Sequence, residues 1–278
     1  MEGGAMRGLF TAGITDVLME NHIIFDGAIG VSAGAAFGCN YKSKQIGRAL
    51  RYNKTYCTDK RYCSLHSLLT TGDLFGADFC YREIPEELDL FDYETFYENP
   101  MDFFVVCTDM LTGDAVYKKL EKKDHDVLCE WIRASASLPL VSRPVEIDGL
   151  KLSDGGTADS IPIRFFEHMG YDKNVIILTR EKGYYKKESK TSSILMKMLL
   201  PKYPKLVQAI KNRTEMYNET IRYINQKEEK GEVFVFRPKE ALPIERIERN
   251  PEKLQEVYDL GRTLATEQLD ALKKFLTN

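Results

Sequence analysis

The sequence predicts an α/β fold, specifically a three-layer α/β/α sandwich with a mostly parallel central sheet. Two observations lead to this prediction. Short apolar runs of strand length alternate along the chain with segments of helical periodicity, and this alternation is typical of a sheet with helices on both faces. One run, 174–179 (NVIILT), is continuously apolar, which indicates a strand that is covered on both faces.

The predicted strands are short apolar runs, two of which are joined by Asp148-Gly149, a strong signal for a two-residue hairpin turn. Strands are predicted at 23–25, 29–31, 102–107, 115–118, 145–147, 150–152, 174–179 and 233–236.

The predicted helices follow apolar spacings of three and four residues. Asn250-Pro251 is a good helix start, because proline is well suited to the first helical position. Residues 53–100 have weak periodicity, so irregular structure with short helices is expected there. Helices are predicted over 9–20, 33–39, 124–135, 160–169, 205–226 and from residue 251 to the C-terminus.

The length of 278 residues is compatible with a single domain over 1–278, with a core at about 1–180 and a further part at 181–278. The 39 Lys and Arg against 42 Asp and Glu leave a net charge of −3, which argues against a dedicated nucleic-acid partner. No apolar run approaches the roughly 20 residues that span a bilayer, and no signal peptide is recognisable. A cytoplasmic location is therefore expected.

Six cysteines occur without a CxxC pair and without histidines at zinc-binding spacing. We expect reduced thiols and no metal or other cofactor. A disulfide among Cys57, Cys63 and Cys80 is the alternative, since these three lie in the stretch of weak periodicity.

The pentapeptide Gly30-Val31-Ser32-Ala33-Gly34 follows an apolar strand and opens a helix of small residues. This is the context of a nucleophile elbow, in which a serine occupies a tight strand-to-helix turn and the glycines permit close backbone approach. The N–H groups that follow the serine and the positive helix end would then face a reacting carbonyl.

Two further glycine-containing segments are candidates. The loop 3–8 (GGAMRG) can turn backbone N–H groups toward an anion, although an ordinary glycine-rich turn is equally compatible. The segment 153–156 (SDGG) places Asp154 at the end of an apolar strand, and alone it is better explained as a plain turn.

The positions of the four histidines indicate whether the serine could have a histidine as its base. Among the four histidines only His168 follows Asp154, as a Ser-His-Asp triad in hydrolase order would require. It lies just before strand 174–179, whereas chemistry in open α/β sheets gathers at the carboxyl ends of strands. We therefore expect all four histidines to be structural or superficial, and the serine to lack a histidine base.

Taken together and in this order, GGAMRG, GVSAG and DGG resemble the patatin-like phospholipases, and most closely their bacterial, single-domain members. The stretch 133–139 (RASASLP) and the helix 9–20 add to the resemblance, which covers about residues 1–180. It implies a patatin-like sandwich with a Ser–Asp dyad. In that dyad Ser32 would be the nucleophile and Asp154 the base. The other positions that it implies are Gly3, Gly4 and Ala5 as oxyanion-hole N–H donors, Arg7 and Gly8 as support for that loop, and Gly30, Gly34, Gly155 and Gly156 as the elbow and Asp-loop glycines.

The sequence departs from the family pattern in two places. Ala5 stands where the family commonly has glycine, and Met1-Glu2 directly precede the glycine loop, where the family normally has a strand.

The resemblance implies an acyl-ester hydrolase without a cofactor, specifically a lipid acyl hydrolase of the phospholipase A or lysophospholipase type that forms an acyl-serine intermediate. Two alternatives remain open. One is a soluble thioesterase or acyltransferase with the same dyad, and the other is a non-catalytic lipid-binding member. The expected partner is a lipid or acyl-ester substrate, and the oligomeric state stays undetermined.

The segment 180–213 contains ten Lys and Arg against two Glu, with apolar residues between them and Pro201 and Pro204 interrupting it. Such a segment can contact an anionic membrane peripherally, with 183–204 as an interfacial lid. A solvated loop with one packed helix is slightly favoured over this alternative.

Overall fold

The strands form one five-stranded sheet and one two-stranded sheet in the computed structural model, which describes residues 1–121, 123–187, 198 and 200–277. In the larger sheet the order is β1-β2-β5-β4, with β3 also paired to β2, and β6 pairs with β7 in the smaller sheet. The strands are β1 Gly27–Val31, β2 Asp102–Asp109, β3 Ala115–Lys119, β4 Val145–Ile147, β5 Leu150–Asp154, β6 Asn174–Ile177 and β7 Val233–Phe236.

The α/β class is confirmed, but the pairing is mixed rather than mostly parallel. Only β1–β2 and β6–β7 pair in parallel among the described strands, while β2–β3, β2–β5 and β4–β5 are antiparallel. For β2–β3 and β4–β5 the reason is connection length, because a short turn can join only antiparallel neighbours, whereas β2 and β5 are distant in sequence. The predicted hairpin shows this clearly, since Asp148 and Gly149 have φ values of 51° and 75° and form its two-residue turn.

The helices agree with the predicted positions and extend several of them. Residues 53–100 are more helical than expected, and the predicted strand 23–25 is wrong. There the N–H of Ile23 donates to the carbonyl of Leu18 at 3.0 Å, which closes the end of the first helix. The helices are α1 Gly8–Glu20, α2 Ala33–Lys42, α3 Arg48–Tyr56, α4 Leu65–Thr71, α5 Tyr93–Glu98, α6 His125–Ala136, α7 Ile163–His168, α8 Pro204–Glu229 and α9 Pro251–Thr277, with a π-helical segment Phe79–Leu88 and short 3-10 turns Ala5–Arg7 and Gly155–Thr157.

Side chains of β2 alternate between two hydrophobic layers. Phe103, Val105 and Cys107 face the larger cluster, which also contains residues of α1, α2 and α6. Phe104 and Val106 face a second cluster on the opposite side, which contains Phe166 of α7. This period-two alternation covers both faces of the sheet and gives the three layers.

The C-terminal helix α9 packs directly on α1 through two glycines. A Cβ on Gly13 would lie 2.1 Å from the carbonyl oxygen of Tyr258, and one on Gly261 would lie 2.1 Å from that of Phe10. Because no side chain fits at either position, the two helix backbones touch. The larger hydrophobic cluster consequently continues into α9 and includes residues such as Leu254.

Met1 and Glu2 lie between the two sheets, directly before the glycine loop. The N–H of Val31 donates to the carbonyl of Met1 at 3.2 Å, and the N–H of Glu2 donates to that of Ile177 at 3.0 Å. These bonds connect β1 to β6, so the glycine loop begins from a backbone that is held on both sides.

The six cysteines are free thiols, as expected, and the alternative disulfide is not formed. Within the described parts of the chain, no helix combines the length and apolarity that crossing a bilayer requires.

Candidate functional site

Ser32 occupies the sharp turn between β1 and α2, with φ 56° and ψ −122°. This left-handed backbone is uncommon for a residue with a side chain. A Cβ on Gly30 would lie 2.4 Å from the carbonyl oxygen of Gly34, and a Cβ on Gly34 would lie 2.4 Å from that of Met1. The two glycines therefore allow the strand and the helix to meet closely enough to present Ser32 at the turn, as the pentapeptide predicted.

A buried serine supports this strained turn. The N–H of Ser32 donates to the Ser135 hydroxyl at 2.9 Å, and that hydroxyl donates to the carbonyl of Val106 at 2.6 Å. Ser135 thus joins the elbow to β2 from its place on α6. Ser135 belongs to the stretch RASASLP, but nothing in the sequence of that stretch shows which hydroxyl turns toward the elbow.

Asp154 ends β5 and is held by its backbone and by one carboxylate oxygen. Its N–H donates to the carbonyl of Ser137 at 2.7 Å, and the Thr108 hydroxyl donates to its carbonyl at 2.8 Å. The N–H of Gly156 donates to Oδ1 at 2.8 Å. A Cβ on Gly155 would lie 2.0 Å from the carbonyl oxygen of Val106, so only glycine fits directly after the aspartate.

The structure brings Ser32 and Asp154 together. Burial raises the pKa of Asp154, while the Ser32 hydroxyl and the charge of Arg213 oppose this rise. The Ser32 hydroxyl therefore interacts with the carboxylate. Oδ2 of Asp154 is buried and has no hydrogen-bond partner among the described residues. The contact between the Ser32 hydroxyl and this oxygen is therefore not a well-formed hydrogen bond. A carboxylate with an elevated pKa and a free oxygen is suited to accept a proton from a neighbouring hydroxyl.

The glycine loop lies against the elbow. A Cβ on Gly3 would lie 2.8 Å from the Cβ of Ser32, which shows how closely the two backbones approach. The N–H groups of Gly3, Gly4 and Ala5 have no acceptor among the described residues, and all three residues line the cavity that also contains Ser32. Unpaired N–H groups in succession can stabilise a developing oxyanion.

The two supporting positions of the loop are closely packed. Arg7 is only 8% exposed, and a Cβ on Gly8 would lie 2.9 Å from that of Ala33 at the start of α2. Gly8 thus permits the loop to rest on the helix that follows Ser32. Ala5 adopts φ 51°, a conformation that glycine enters far more readily than alanine does.

Two cavities meet at Ser32, and both contain Ala5 and Leu138 in their walls. The first, here called the apolar cavity, lies between α2, α6 and the π-helical segment and is lined by side chains such as Phe37, Ile84 and Ile132. The second, here called the cationic cavity, contains Asp154 and Glu2 and five basic side chains: Arg7, Arg180, Lys186, Arg213 and Arg246.

None of the four histidines, all of which are described, lines either cavity. His125 instead stacks on Tyr93 with ring centroids 3.7 Å apart. Among the residues with described positions, no cluster of three or more His, Cys, Asp or Glu could hold a metal ion.

The basic segment 180–213 is divided by the structure. Arg180, Lys186 and Arg213 line the cationic cavity rather than the outer surface. Half of the predicted lid, 188–197 and 199, lies outside the described residues. Met198 is described and is 74% exposed.

Two family models match the chain. The model described as Patatin-like phospholipase matches residues 1–166, and one described as a domain of unknown function (DUF6363) matches residues 203–277. The first match covers every residue of the elbow, the glycine loop and the Asp154 loop.

One relative is similar over nearly the whole chain. The uncharacterized protein YjjU of Escherichia coli (strain K12) is 27% identical over 284 residues, which cover 99% of this chain and 78% of that protein. The uncharacterized NTE family protein Rv1063c of Mycobacterium tuberculosis is 25% identical over 160 residues, 58% of this chain and 42% of that protein. The solved structure of VipD from Legionella pneumophila aligns with a TM-score of 0.46 at 13% identity, over 97% of this chain and 66% of that one. On the match to residues 1–166, the chain belongs to the patatin-like phospholipase family.

Proposed function

We propose that the protein hydrolyses carboxylic esters of lipids through an acyl-serine intermediate, with Ser32 as the nucleophile and Asp154 as the base. The observation that carries this proposal is the contact of a strained, glycine-flanked serine with a buried carboxylate of raised pKa. Membership of the patatin-like phospholipase family supports a lipid hydrolase in general.

In the first step, the Ser32 hydroxyl transfers its proton to Asp154 as Oγ attacks the ester carbonyl carbon. The negative charge that develops on the carbonyl oxygen would face the N–H groups of Gly3, Gly4 and Ala5. Collapse of this tetrahedral species breaks the bond to the alcohol, which leaves with the proton from Asp154. The acyl group then remains on Ser32.

In the second step, Asp154 takes a proton from water as the water oxygen attacks the acyl-serine. Ser32 Oγ leaves and regains this proton, which releases the fatty acid and restores the dyad. One carboxylate thus serves as base and then as acid in both halves of the cycle, and no histidine takes part.

The lining of the apolar cavity supports a substrate with an apolar acyl chain. It begins at Ser32 and its walls are largely aliphatic and aromatic, so it offers a place for the acyl chain beside the reacting carbon. An apolar chain of this kind gains free energy with every methylene that it buries, at about 0.8 kcal/mol each.

Labelling with a fluorophosphonate probe, combined with turnover of p-nitrophenyl esters, tests the proposal. We expect wild type to be labelled at Ser32, and Ser32→Ala to lose labelling and at least about a thousandfold in kcat. Ser43→Ala is the matched control, because Ser43 is a buried serine at the end of α2 that lines neither cavity. Labelling of a different serine, or turnover retained in Ser32→Ala, would reject the nucleophile.

The base requires its own test. We expect Asp154→Asn to lose about a hundredfold or more in kcat, as removal of a general base usually does. Because the two residues act as a unit, the double variant should be little worse than either single one. If wild type binds lipid but is neither labelled nor active, the protein is a non-catalytic lipid-binding member.

A further inference from the structure

The cationic cavity holds more positive charge than its own carboxylates balance. Five basic side chains line it beside only Glu2 and Asp154. Several arginines outside this cavity pair with carboxylates, for example Arg262 with Glu20 at 2.8 Å and Arg237 with Glu228 at 2.6 Å. None of the five does so within the part of the chain that the structure describes.

Aromatic rings rather than carboxylates position two of these cations. The Arg180 guanidinium lies 4.4 Å from the ring centroid of Tyr184, and the Lys186 ammonium lies 3.6 Å from that of Tyr217. A ring contact holds a cation without using its N–H donors. These donors therefore remain available to a ligand.

The carboxylate of Glu2 is already satisfied by neutral donors. Tyr217 donates to Oε1 at 2.9 Å, and the backbone N–H of Thr179 donates to Oε2 at 2.6 Å. Glu2 therefore orders the wall of the cavity and pairs with none of its cations.

Arg7 is the most deeply placed of the five, and its Nε is buried with no acceptor among the described residues. Burial, together with the charges of Arg180 and Arg246, lowers the pKa of Arg7 to about 10. Burial likewise lowers the pKa of Lys186, with a contribution from Arg213. A bound anion would relieve this repulsion and supply the missing acceptor.

The position of the cavity indicates which part of a substrate carries the anion. The apolar and cationic cavities share Ala5, Ser32 and Leu138. An ester that places its acyl chain in the apolar cavity and its carbonyl carbon at Ser32 must therefore direct its alcohol part into the cationic cavity.

We propose, building on the function proposed above, that the cationic cavity binds a phosphate group on the alcohol part of the substrate and so selects acyl esters of phosphomonoesters. A phosphomonoester carries a charge of about −1.5 to −2 at neutral pH and three acceptor oxygens, and guanidinium groups bind it in bidentate fashion. A zwitterionic or neutral alcohol would leave most of these cations unpaired.

A phosphate site in the cationic cavity gives the C-terminal part of the chain a role. Arg213 and Arg246 lie within 203–277, the part that matches the domain of unknown function. Arg213 reaches from α8 to the Asp154 loop, where its Nε donates to the carbonyl of Gly156 at 2.5 Å. The C-terminal region thereby helps to select the alcohol part of the substrate, whereas the reacting residues belong to 1–166.

The test compares kcat/KM for three esters with the same acyl chain: a lysophosphatidic acid, a lysophosphatidylcholine and a monoacylglycerol. We expect wild type to prefer the lysophosphatidic acid. In Arg180→Gln/Arg246→Gln, the ratio of kcat/KM for the lysophosphatidic acid to that for the monoacylglycerol should fall about tenfold or more, the loss typical of a charge-assisted hydrogen bond. Lys182→Gln is the control, because Lys182 is exposed and lines neither cavity.

Further measurements test the phosphate site separately from the proposed ester hydrolysis. An unchanged ratio in the double variant, or equal turnover of all three esters by wild type, would overturn the phosphate site even if Ser32 is labelled. Competitive inhibition by inorganic phosphate without any preference among the esters would assign the cavity to free phosphate and would also overturn the inference. Binding of lysophosphatidic acid by Ser32→Ala, measured by calorimetry and weakened in the cation variant, would support the site independently of turnover.

Discussion

Ser135 connects Ser32 to the central sheet, because its hydroxyl accepts the backbone N–H of Ser32 at 2.9 Å and donates to the carbonyl of Val106 at 2.6 Å. This hydroxyl is fully buried. A nucleophile in a strained left-handed conformation keeps its direction only if its surroundings hold it. We therefore regard Ser135 as a positioning residue for the proposed nucleophile.

Ser135→Ala should lower kcat by about tenfold or more and leave KM for a p-nitrophenyl ester within about twofold, because the elbow would lose its anchor while the cavities keep their shape. It should also lower the free energy of unfolding by about 1–3 kcal/mol, since the N–H of Ser32 and the carbonyl of Val106 both lose this partner. Steady-state kinetics and denaturant unfolding measure the two effects.

Ser137→Ala is the matched control for this prediction. Ser137 is a neighbouring buried serine whose hydroxyl donates to the carbonyl of Arg133 at 2.8 Å and does not reach Ser32. It should lose stability with little loss of kcat. Equal losses of kcat in the two variants would show that Ser135 acts only through general stability.

The low-pH side of the profile of kcat/KM against pH should reflect the pKa of Asp154. The base must be ionised, so kcat/KM should fall as the pH decreases through a pKa above the usual value of about 3.9, because burial raises it. Arg213 opposes this rise. In Arg213→Gln the low-pH side of the profile should therefore move to higher pH, and a low-pH side that stays in place or moves to lower pH would contradict the assignment of Asp154.

Burial of the Asp154 carboxylate should also cost stability. With the folded-state pKa raised, the folded protein binds more protons than the unfolded chain between about pH 3.9 and that higher pKa, so the contribution of this group falls as the pH rises. Asp154→Asn should consequently be more stable than wild type at pH 7.5, and the difference should vanish below about pH 4. Thermal unfolding of both proteins across this range checks the sign, and greater stability of wild type at pH 7.5 would refute it.

The family's usual glycine should be tolerated at Ala5. Alanine pays about 1–2 kcal/mol in the left-handed region, and Ala5 has φ 51°. Ala5→Gly removes this strain but adds freedom to the unfolded chain, at a cost of about 0.5–1 kcal/mol. We expect the free energy of unfolding to rise by up to about 1 kcal/mol, with activity retained.

The control for Ala5→Gly is the same substitution at an alanine with ordinary helical backbone, where a loss of stability is expected. Ala271 is exposed on α9, and Ala271→Gly should lower the free energy of unfolding by about 1 kcal/mol. If both glycine variants lose stability to the same extent, the left-handed conformation of Ala5 carries no strain.

The apolar cavity should determine acyl-chain length. Ala36 lines it one helical turn after Ser32. Ala36→Phe should reduce the ratio of kcat/KM for a p-nitrophenyl decanoate to that for the acetate by about tenfold or more, since burial of several methylenes at about 0.8 kcal/mol each would be lost. Ala36→Ser preserves the size of the side chain and should leave the ratio within about twofold. An unchanged ratio in Ala36→Phe would exclude this cavity as the acyl site.

Local sequence was sufficient to predict most elements of the fold. Helix α9, the hairpin β4–β5 and the strand β6 follow from Asn250-Pro251, Asp148-Gly149 and a continuous apolar run, which are local signals. The direction of strand pairing was harder to predict, because it depends on which strands become neighbours. Three of the strand pairs are antiparallel. The segment 23–25 shows the same limit, since an apolar triplet can end a helix as readily as it begins a strand.

The backbone of the site can be recognised in the sequence, because glycines at 30, 34 and 155 mark places where no Cβ fits and where a serine or an aspartate is consequently presented at a sharp turn. The surroundings of these turns, in contrast, depend on how distant parts of the chain pack together. Ser135 reaches Ser32 from 103 positions away in the sequence, and the five cations of the cationic cavity come from four separate stretches of chain. Local sequence patterns indicate where the backbone is strained. A cavity wall, in contrast, consists of side chains from distant parts of the sequence, and their directions depend on how helices and loops pack together.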